Sequence, residues 1–426
     1  MLQFLARFNL FVGLFMFIAY FYQVLYTVYG LFVKPAGRRK KQQKKKDVPL
    51  HRFAALICAR NEEHVIGELV ASLKAQDYPA DLLDIYVLAD NCTDGTAQAA
   101  EKAGAIAYER FNQAHVGKGY ALDFLLGRIR KLHGDNHYDG FFVFDADNIV
   151  DRHFVSAMNE TFSEGCDVIT CYRNSKNFAS SWISASYSIW FLREARFLNF
   201  PRMKMGTNCA VSGTGFLVAS HIIRENDGWP YFLLTEDIQF SADCAARGWR
   251  IGYSDNAIIY DEQPITMRQS WRQRMRWAKG FYQVNAHCSL DLLRGCFIGP
   301  RRFSCYDMLM TIAPCMLLTV STIVVNLFFA ISFLTLPSFL AGFMFKTAMS
   351  YLVFGLAWMY TLMCLYGLLT VITEWKRIPA TAFKKLQYIP MFPLFMLTYI
   401  PISLAALVVH VEWKPIRHTS VENVKV

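Results

Sequence analysis

Two carboxylates close together follow four apolar residues in the segment FFVFDADN, residues 141–148. A short apolar run predicts a buried strand of a parallel sheet, and ligands of open α/β sheets bind beyond the carboxyl ends of the strands. Asp145 and Asp147 are therefore expected where one or two carboxylates, with substrate phosphates, can hold a hard divalent cation. A turn with solvated carboxylates would have the same sequence, so the DAD motif alone does not decide between the two.

The segment LADNCTDGT repeats the arrangement of a carboxylate at the end of a predicted strand. The carboxylate of Asp90 can accept hydrogen bonds from a base or a ribose. Thr93 and Asp94 are interpreted mainly as an N-cap that opens the next helix.

The segment HVGKGYAL places a lysine between two glycines. Gly117 and Gly119 allow the backbone to approach a ligand closely, and Lys118 can reach a phosphate. A plain surface turn is the alternative, and the segment by itself favours neither.

The segment LLTEDIQF places two adjacent carboxylates, Glu236 and Asp237, at a predicted helix start. A carboxylate in a cleft beside a helix N-terminus can act as the general base on an alcohol, provided that it lies within hydrogen-bond reach. Thr235 or Asp237 could instead only cap the helix.

The segment WRQRMRWAKG predicts a helix with three distinct faces. Gln273, Arg276 and Trp277 lie three and four residues apart and so share one face, where the tryptophan can stack on a sugar and the arginine can face a diphosphate. A basic amphipathic helix on the membrane surface is an interpretation compatible with this one. The other two faces are an apolar stripe of Trp271, Met275, Ala278 and Tyr282 and a basic line of Arg268, Arg272, Arg276 and Lys279.

The elements that must position these residues form an alternating pattern between Val48 and about Leu290. Short apolar strands alternate with helical stretches, which is typical of a mostly parallel sheet with flanking helices. The predicted fold class is therefore α/β, joined to transmembrane helices. Strands are predicted at 53–58, 85–89, 105–108, 141–144, 167–172, 215–219 and 256–260, with helices over 62–76, after Thr93 and after Gly117.

Long apolar segments account for the hydrophobic fraction of 54%. Leu10 to Val33 is long enough to span a bilayer, and because a basic run follows it, we interpret it as a retained anchor and not as a cleaved signal peptide. Much of the net charge of +10 lies in this run, which predicts that the following region is cytoplasmic and contacts anionic lipid. A nucleic-acid-binding tail is the less favoured reading, and the eleven scattered cysteines indicate neither disulfides nor a zinc site.

Three further apolar segments follow Pro300, namely 311–336, 347–373 and 388–411. Each is long enough to cross a membrane, and the basic loop between the last two is predicted to be cytoplasmic. If all cross, the tail from Glu412 lies outside, although its Lys414 and Arg417 favour the inside. The last segment contains Pro390, Pro393 and Pro401. It could therefore lie along the membrane interface or re-enter the membrane, and both alternatives stay open.

The order of these motifs resembles the family 2 membrane glycosyltransferases, which include cellulose, hyaluronan and poly-N-acetylglucosamine synthases and related exopolysaccharide enzymes. The resemblance rests on DNC with TDGT, GKG, DAD, TED and QxxRW inside an α/β region flanked by apolar spans, and by motif it covers about residues 53–277. SGTGF, residues 212–216, is a weaker match to a stretch near the acceptor. ARNEE, residues 59–63, is similar to the opening nucleotide loop but lacks its usual proline.

The resemblance implies a GT-A nucleotide-sugar domain that inverts the anomeric centre and uses Mg²⁺ or Mn²⁺. Asp147, with Asp145, would hold the metal, and Asp237 would be the general base beside Glu236. The donor would contact Glu62, Asp90, Lys118 and Asp145, and the acceptor and diphosphate would contact Gly213, Thr214, Gln273, Arg276 and Trp277.

The resemblance also implies the domain order. The expected units are a transmembrane helix at 1–33, a basic linker at 34–50, the GT-A domain at 51–265, amphipathic interface helices at 266–300, a transmembrane region at 301–411 and a tail at 412–426.

The function expected from these features is transfer of sugar from a UDP-sugar to a growing polysaccharide by a multi-pass protein of the plasma membrane. Single transfer to a lipid-linked or protein acceptor is the first alternative. The second is a non-catalytic membrane protein that binds a nucleotide or polyanion. The partners expected are the donor, the acceptor and the bilayer, with no nucleic acid, and a homo-oligomer is left open because a polymer conduit needs several helices. The motifs name neither the donor sugar nor the linkage.

Overall fold

The computed structural model describes residues 1–33, 48–313, 315–335 and 337–411. Most of the predicted basic linker and the whole predicted tail lie outside the described residues. The sequence between 48 and 298 forms a sheet covered by helices, and apolar helices precede and follow it.

All seven predicted strands are observed, and their ends differ from the prediction by at most three residues, except that the last strand begins five residues earlier, at Ile251. The short strand Ile149–Val150 was not predicted. In the described residues the strands are β1 (Phe53–Ala59), β2 (Leu83–Asp90), β3 (Ile106–Arg110), β4 (Gly140–Asp145), β5 (Ile149–Val150), β6 (Val168–Ser175), β7 (Phe216–Ala219) and β8 (Ile251–Asp261).

The described strands form one mixed sheet of eight strands in the order β3-β2-β1-β4-β7-β6-β8-β5. β1 is parallel to both β2 and β4, β2 is parallel to β3, and β6 is parallel to β8. β7 is antiparallel to β4 and β6, and β5 is antiparallel to β8. The predicted α/β class with a mostly parallel sheet is therefore confirmed.

The helices cover both faces of the sheet and continue into the apolar region. A π-helical turn, Ala195–Asn199, joins the sixth helix to the seventh. In the described residues the α-helices are α1 (Leu2–Phe32), α2 (Ile66–Lys74), α3 (Thr96–Ala103), α4 (Lys118–His133), α5 (Phe154–Ser163), α6 (Trp182–Glu194), α7 (Phe200–Met205), α8 (Ser220–Glu225), α9 (Glu236–Arg247), α10 (Met267–Ile298), α11 (Arg302–Ile312), α12 (Cys315–Phe333), α13 (Ser338–Thr373), α14 (Ala382–Gln387), α15 (Met391–Leu397) and α16 (Tyr399–Val408).

The sheet is buried on both faces, which explains why β4 is uniformly apolar. Phe142 and Phe144 pack with residues of α2 and α5 on one face, whereas Phe141 and Val143 pack with residues of α4 and α6 on the other. Successive side chains of a strand point to opposite faces, so a strand covered on both sides needs apolar residues at every position.

The N-cap predicted at Thr93 and Asp94 is wrong by one or two residues, because Gly95 is the N-cap of α3. Helix α3 begins at Thr96, and the Asp94 carboxylate accepts a hydrogen bond from the backbone N of Thr96 at 3.2 Å. The backbone N of Thr93 instead donates to Asn61 Oδ1 at 2.8 Å. The segment between the strand and the helix is therefore a side-chain-stabilised turn, as short acidic residues favour.

Three helices of the described residues are long and apolar enough to cross a membrane, namely Leu2–Phe32, Leu340–Thr373 and Met391–Val408. The pair Arg302–Ile312 and Leu317–Phe333 is bent by 47° and would be a fourth span if it counts as one. The predicted span 311–336 is thus corrected, because α11 ends at Ile312. The expected interface helices are one continuous helix, α10, which packs against α9, α11 and α16.

A buried ion pair joins the apolar helices to the region that contains the sheet. The Arg202 guanidinium donates to both carboxylate oxygens of Asp307, at 2.8 and 2.6 Å, and each side chain is nearly inaccessible to solvent. The hydroxyls of Tyr22 and Tyr26 donate to the same carboxylate at 3.0 Å. Helices α1, α7 and α11 are therefore held at one carboxylate whose charge and lone pairs are satisfied.

Replacing Asp307 by asparagine should strongly destabilise the protein. The change leaves the Arg202 charge buried without a counter-ion, which typically costs about 3–5 kcal/mol. We expect a marked fall in the unfolding temperature of the detergent-solubilised protein. The control is Asp291→Asn, because Asp291 pairs with Arg294 at an exposed site and such pairs contribute at most about 1 kcal/mol. Equal effects of the two changes would contradict the role of the buried pair.

Candidate active site

One cavity of about 730 Å³ collects eleven of the twelve site residues that the sequence suggests. It lies between the carboxyl ends of β1, β2 and β4, the start of α9, the middle of α10 and the apolar helices. The predicted residues on its wall are Glu62, Asp90, Lys118, Asp145, Asp147, Gly213, Glu236, Asp237, Gln273, Arg276 and Trp277.

The parallel strands explain why distant carboxylates meet here. Asp90 is the last residue of β2 and Asp145 is the last residue of β4, and both strands run parallel to β1 between them. The carboxyl ends of parallel strands lie at the same edge of a sheet, where ligands of such folds bind.

Lys118 connects three segments of the chain at the centre of the site. Its ammonium group donates to the backbone carbonyl of Gly213 at 2.6 Å and forms an ion pair with Asp145. Burial by itself raises the pKa of Asp145, but the charge and hydrogen bond of Lys118, together with the charges of Arg173 and Arg276, outweigh burial and hold that pKa below its usual value. Asp145 is therefore ionised at neutral pH.

Gly119, which follows this lysine, is needed for packing and not for the approach of a ligand. A Cβ atom at Gly119 would lie 1.9 Å from the backbone oxygen of Tyr231. The start of α4 therefore packs directly against the segment that precedes the TED motif. This contact fixes Lys118 relative to α9.

Thr214 is the one predicted site residue that the structure does not bring to the cavity wall. Its side chain is buried, accepts a hydrogen bond from the backbone N of Asp145 at 2.9 Å and donates one to Asn148 Oδ1. Thr214 therefore supports the DAD turn from behind. Its expected contact with acceptor or diphosphate is not supported by this placement.

Asp147 is held firmly by its neighbours. One carboxylate oxygen accepts from the backbone N of Glu262 at 3.0 Å and the other from Asn148 Nδ2 at 3.2 Å. Among the described residues no group of three or more His, Cys, Asp or Glu side chains is arranged to hold a metal ion. The donor set fits a cation that takes one or two carboxylates from the protein and its other ligands from phosphates and water, as Mg²⁺ commonly does.

The two carboxylates of the TED motif enter the cavity from the first turn of α9. Burial raises the pKa of Glu236 and of Asp237, and the charge of Asp237 raises that of Glu236 further. Lys118 and Arg276 act in the opposite direction on both groups. Thr235 occupies the N-cap position of α9, but its side chain makes no capping hydrogen bond, so the alternative in which Thr235 only caps the helix is not supported.

Helix α10 approaches α9 closely because it has a glycine at the contact. A Cβ atom at Gly280 would lie 2.5 Å from Thr235 Cγ2. This approach brings Gln273, Arg276 and Trp277 to the cavity wall beside the TED carboxylates. Arg276 forms no ion pair with the described residues, and the Oε1 atom of Gln273 is buried without a hydrogen-bond partner among them.

The buried face of α10 differs from the predicted apolar stripe. Arg274 is fully buried, donates to Phe395 O at 2.8 Å and Thr398 Oγ1 at 2.6 Å, and lies over the Phe395 ring. The stripe residues are only partly buried. Periodicity alone missed this, because arginine counts as polar until a partner for its charge and donors is known. The fully buried residues of the helix are Ser270, Arg274, Gly280, Val284, Cys288, Leu292 and Gly295.

Two arginines near strand ends belong to the site although no motif marks them. Arg110, the last residue of β3, forms a buried ion pair with Asp90 at 2.6 Å. Arg173 of β6 pairs with Asp261, donates to Ser212 O at 2.9 Å and lies on the cavity wall. The signal that found the carboxylates, a charged residue at a predicted strand end, would have found both.

Glu194 was missed for a different reason, since it lies at the end of α6 far from any motif. It lines the cavity, and burial raises its pKa, whereas Arg202, Arg173 and Arg193 lower it. The carboxylate of Glu194 forms no hydrogen bond or ion pair with the described residues. No sequence pattern separates it from an ordinary surface glutamate.

The arrangement as a whole suits a reaction in which a phosphate-bearing group departs. Lys118, Arg173 and Arg276 line the cavity together with the DAD motif and with the two TED carboxylates, whose pKa values are raised. Such sites stabilise negative charge on a leaving group and remove a proton from an attacking hydroxyl.

Comparison with known proteins agrees with this chemistry. Poly-beta-1,6-N-acetyl-D-glucosamine synthase of Staphylococcus aureus (strain COL) is 27% identical over 62% of this chain and 63% of that protein. Probable glycosyltransferase YdaM of Bacillus subtilis (strain 168) is 26% identical over 59% of this chain and 62% of that protein. Beta-monoglucosyldiacylglycerol synthase of Synechocystis sp. is 26% identical over 55% and 49%. The chain thus spans about half to just under two thirds of these relatives.

The fold has a solved counterpart in the mannosyltransferase PcManGT of Pyrobaculum calidifontis. The two structures superpose with a TM-score of 0.57 over 88% of this chain and 99% of the other, at 16% sequence identity. At the level of the family, residues 51–280 match the domain described as "Glycosyltransferase like family 2". The match covers more than half of the chain, and the protein therefore belongs to the family 2 glycosyltransferases.

Proposed function

We propose that the protein transfers a sugar from a UDP-sugar to the hydroxyl of an acceptor held at the membrane, with inversion and with Asp237 as general base. The observation that carries the proposal is the convergence of DAD, TED and QxxRW side chains on one cavity that is closed on one side by apolar helices. We assign the catalytic domain to residues 51–265 on the cytoplasmic face of a multi-pass membrane protein. The basic run after the first apolar helix supports this orientation.

The donor occupies the edge of the sheet. Asp90 and Glu62 face the nucleoside, while Lys118, Arg173 and Arg276 face the diphosphate. UDP is proposed on the family resemblance, whereas the structure of PcManGT was solved with GDP-Man and Mn²⁺. Release of nucleotide from a panel of UDP-sugars and GDP-mannose therefore decides the base.

A divalent cation, Mg²⁺ or Mn²⁺, would be held by Asp147, with Asp145 on the same turn. When bound, it would neutralise charge on the diphosphate as the bond to the sugar breaks. The protein's own part is to hold both carboxylates still, through Thr214 behind Asp145 and the backbone N of Glu262 on Asp147.

Asp237 takes the proton of the acceptor hydroxyl as its oxygen attacks the anomeric carbon. The nucleoside diphosphate leaves from the opposite side, and its charge faces Lys118 and the arginines. One carboxylate base without an enzyme nucleophile gives one displacement, so the anomeric configuration is inverted. Burial of Asp237 makes its carboxylate a stronger base than a solvated aspartate.

The family resemblance implies a growing polysaccharide as acceptor, and the names of the relatives include both a polysaccharide synthase and a glycolipid synthase. A lipid-anchored acceptor is the second candidate. It is favoured by the apolar helices on the cavity wall, where Met359, Met363 and Met396 line the side away from the sheet.

Asp237→Asn should abolish transfer while the donor still binds. Loss of a general base typically lowers the rate by about 10²–10⁴-fold, and the isosteric amide keeps the shape of the site. Incorporation of radiolabelled sugar into membranes measures the rate, and titration calorimetry measures donor binding. Asp227→Asn, at an exposed loop position, is the control and should have no effect. Full transfer activity of Asp237→Asn would refute Asp237 as the general base, whereas a wild-type protein that binds the donor without transferring sugar would favour the non-catalytic binding protein.

Glu236→Gln should retain activity and leave its dependence on acid pH unchanged. The base works only when it is deprotonated, so activity is lost as the pH falls through the pKa of Asp237. The charge of Asp237 raises the pKa of Glu236, so Glu236 still carries its proton when Asp237 ionises and adds no charge at that point. The neutral glutamine should therefore leave the acid limb of the pH–rate profile in place. Loss of activity at every pH would identify Glu236 as the base instead.

Removal of divalent cations should abolish transfer, and Mg²⁺ or Mn²⁺ should restore it. In Asp147→Asn, donor affinity should become low and independent of added metal, since one carboxylate ligand is lost. The measurement is donor titration with and without EDTA. Wild-type transfer that persists in EDTA would refute the cation site.

A further inference from the structure

A second cavity, of about 970 Å³, adjoins the catalytic cavity on the side of the apolar helices. It lies between α1, α6, α13 and α15, and we call it the lateral groove. Because the two cavities share part of their walls, one ligand can occupy both. The residues that line both are Met16, Trp190, Arg193, Met359, Met363 and Met396.

The lateral groove suits a hydrocarbon chain better than a glycan. Apart from Arg193 its wall consists of apolar and aromatic side chains, so sugar hydroxyls would lose hydrogen bonds to water without replacement. Two of its walls, α1 and α13, are helices apolar enough to cross a membrane. Tyr366 and Leu369 of α13 are among the other lining residues.

Arg193 is the polar exception, and it stands where the two cavities meet. Its guanidinium lies 5.0 Å from the Trp190 ring and 5.2 Å from the Tyr366 ring, and its one hydrogen bond within the described residues, to Gln23, is long at 3.5 Å. It forms no ion pair there. By contrast, Arg196 and Arg202, on the same stretch of helix, pair with Glu374 and Asp307.

Within the described residues Arg193 forms no ion pair, although its charge acts on the neighbouring Glu194. An arginine in this state, between an apolar groove and a catalytic cavity, is the arrangement expected for an anionic headgroup. Guanidinium groups donate two parallel hydrogen bonds to phosphate oxygens and tolerate partial burial against aromatic rings. A lipid phosphate at Arg193 would leave its acyl chains in the groove and direct its headgroup towards Asp237, which lines the same catalytic cavity.

We propose that the lateral groove is the acceptor site for a membrane lipid with a phosphate-bearing headgroup and a free hydroxyl, with Arg193 as the phosphate ligand. The proposal rests on the transferase function and names its acceptor class. The lipid chains occupy the groove, the phosphate contacts Arg193, and the headgroup hydroxyl meets the Asp237 carboxylate and the anomeric carbon of the donor. The hydroxyl proton passes to Asp237, and the nucleoside diphosphate departs with the bonding electrons.

The test uses the full chain in phosphatidylcholine vesicles that contain phosphatidylglycerol, phosphatidylinositol or neutral diacylglycerol. Arg193→Gln should raise the apparent KM for the anionic lipids by about tenfold or more, as expected when a charged hydrogen bond is lost. Leu369→Trp, which fills the groove, should have a similar effect. Release of nucleotide from the donor by hydrolysis, without acceptor lipid, is measured in parallel, so that a change in the KM for lipid is distinguished from a change in the use of the donor.

Matched controls separate this role from a general disturbance. Arg128→Gln removes an exposed arginine that also lies over an aromatic ring but outside both cavities, and Leu340→Trp enlarges an exposed leucine of α13 away from the groove. Neither should change the KM for lipid. The proposal is overturned if diacylglycerol is as good an acceptor as the anionic lipids, if the product is a polymer free of lipid, or if Arg193→Gln affects donor hydrolysis alone. A wild-type protein that releases no nucleotide from any donor would overturn the transferase function itself.

Discussion

The site depends on electrostatic balance, because it gathers carboxylates that would repel each other if they stood alone. Asp145, Asp147, Glu236 and Asp237 line one partly dehydrated cavity, and Lys118 lies among them. Its ammonium group holds the DAD turn and the loop at Gly213 together. Like charges in a medium of low polarity repel strongly, so the cations at Lys118, Arg173 and Arg276 are part of the fold as well as of the chemistry.

This balance also explains how two adjacent carboxylates can have different roles. Glu236 is buried and Asp237 is half-buried at the start of α9, and the loss of solvent raises the pKa of each. A pair of this kind does not ionise completely until the pH is well above the usual range of carboxyl groups, so one member can carry a proton while the other acts as a base. The phosphates of the donor would add further negative charge at the same place. Arg276, which forms no ion pair with the described residues, can offset this charge.

The apolar helices are connected to the catalytic region by polar contacts as well as by packing. Arg202 with Asp307 joins α1, α7 and α11, and Arg377 with Asp255 joins the segment after α13 to β8 at 2.6 Å. Arg274 of α10 contacts α15 through the carbonyl of Phe395. Because buried ion pairs and donors need specific partners, these contacts fix where the apolar helices meet the cavity. The lateral groove exists at that meeting, so an acceptor can approach from the side of the apolar helices.

The sequence alone determined the α/β class, nearly all strand positions, the apolar segments and eleven of the residues that line the cavity. Alternating patterns and strand-end carboxylates are local signals, and the order of parallel strands turns them into one edge of a sheet. The tertiary structure decided what depends on distant partners. It buried Arg274, placed Thr214 behind the DAD turn and divided the predicted span at Ile312. It also brought Arg173, Glu194 and Arg193, which no motif marks, to the cavity wall. The physical reason is that the cost of burying a charge or a hydroxyl is set by the groups that surround it in space, and these are not its neighbours in the chain.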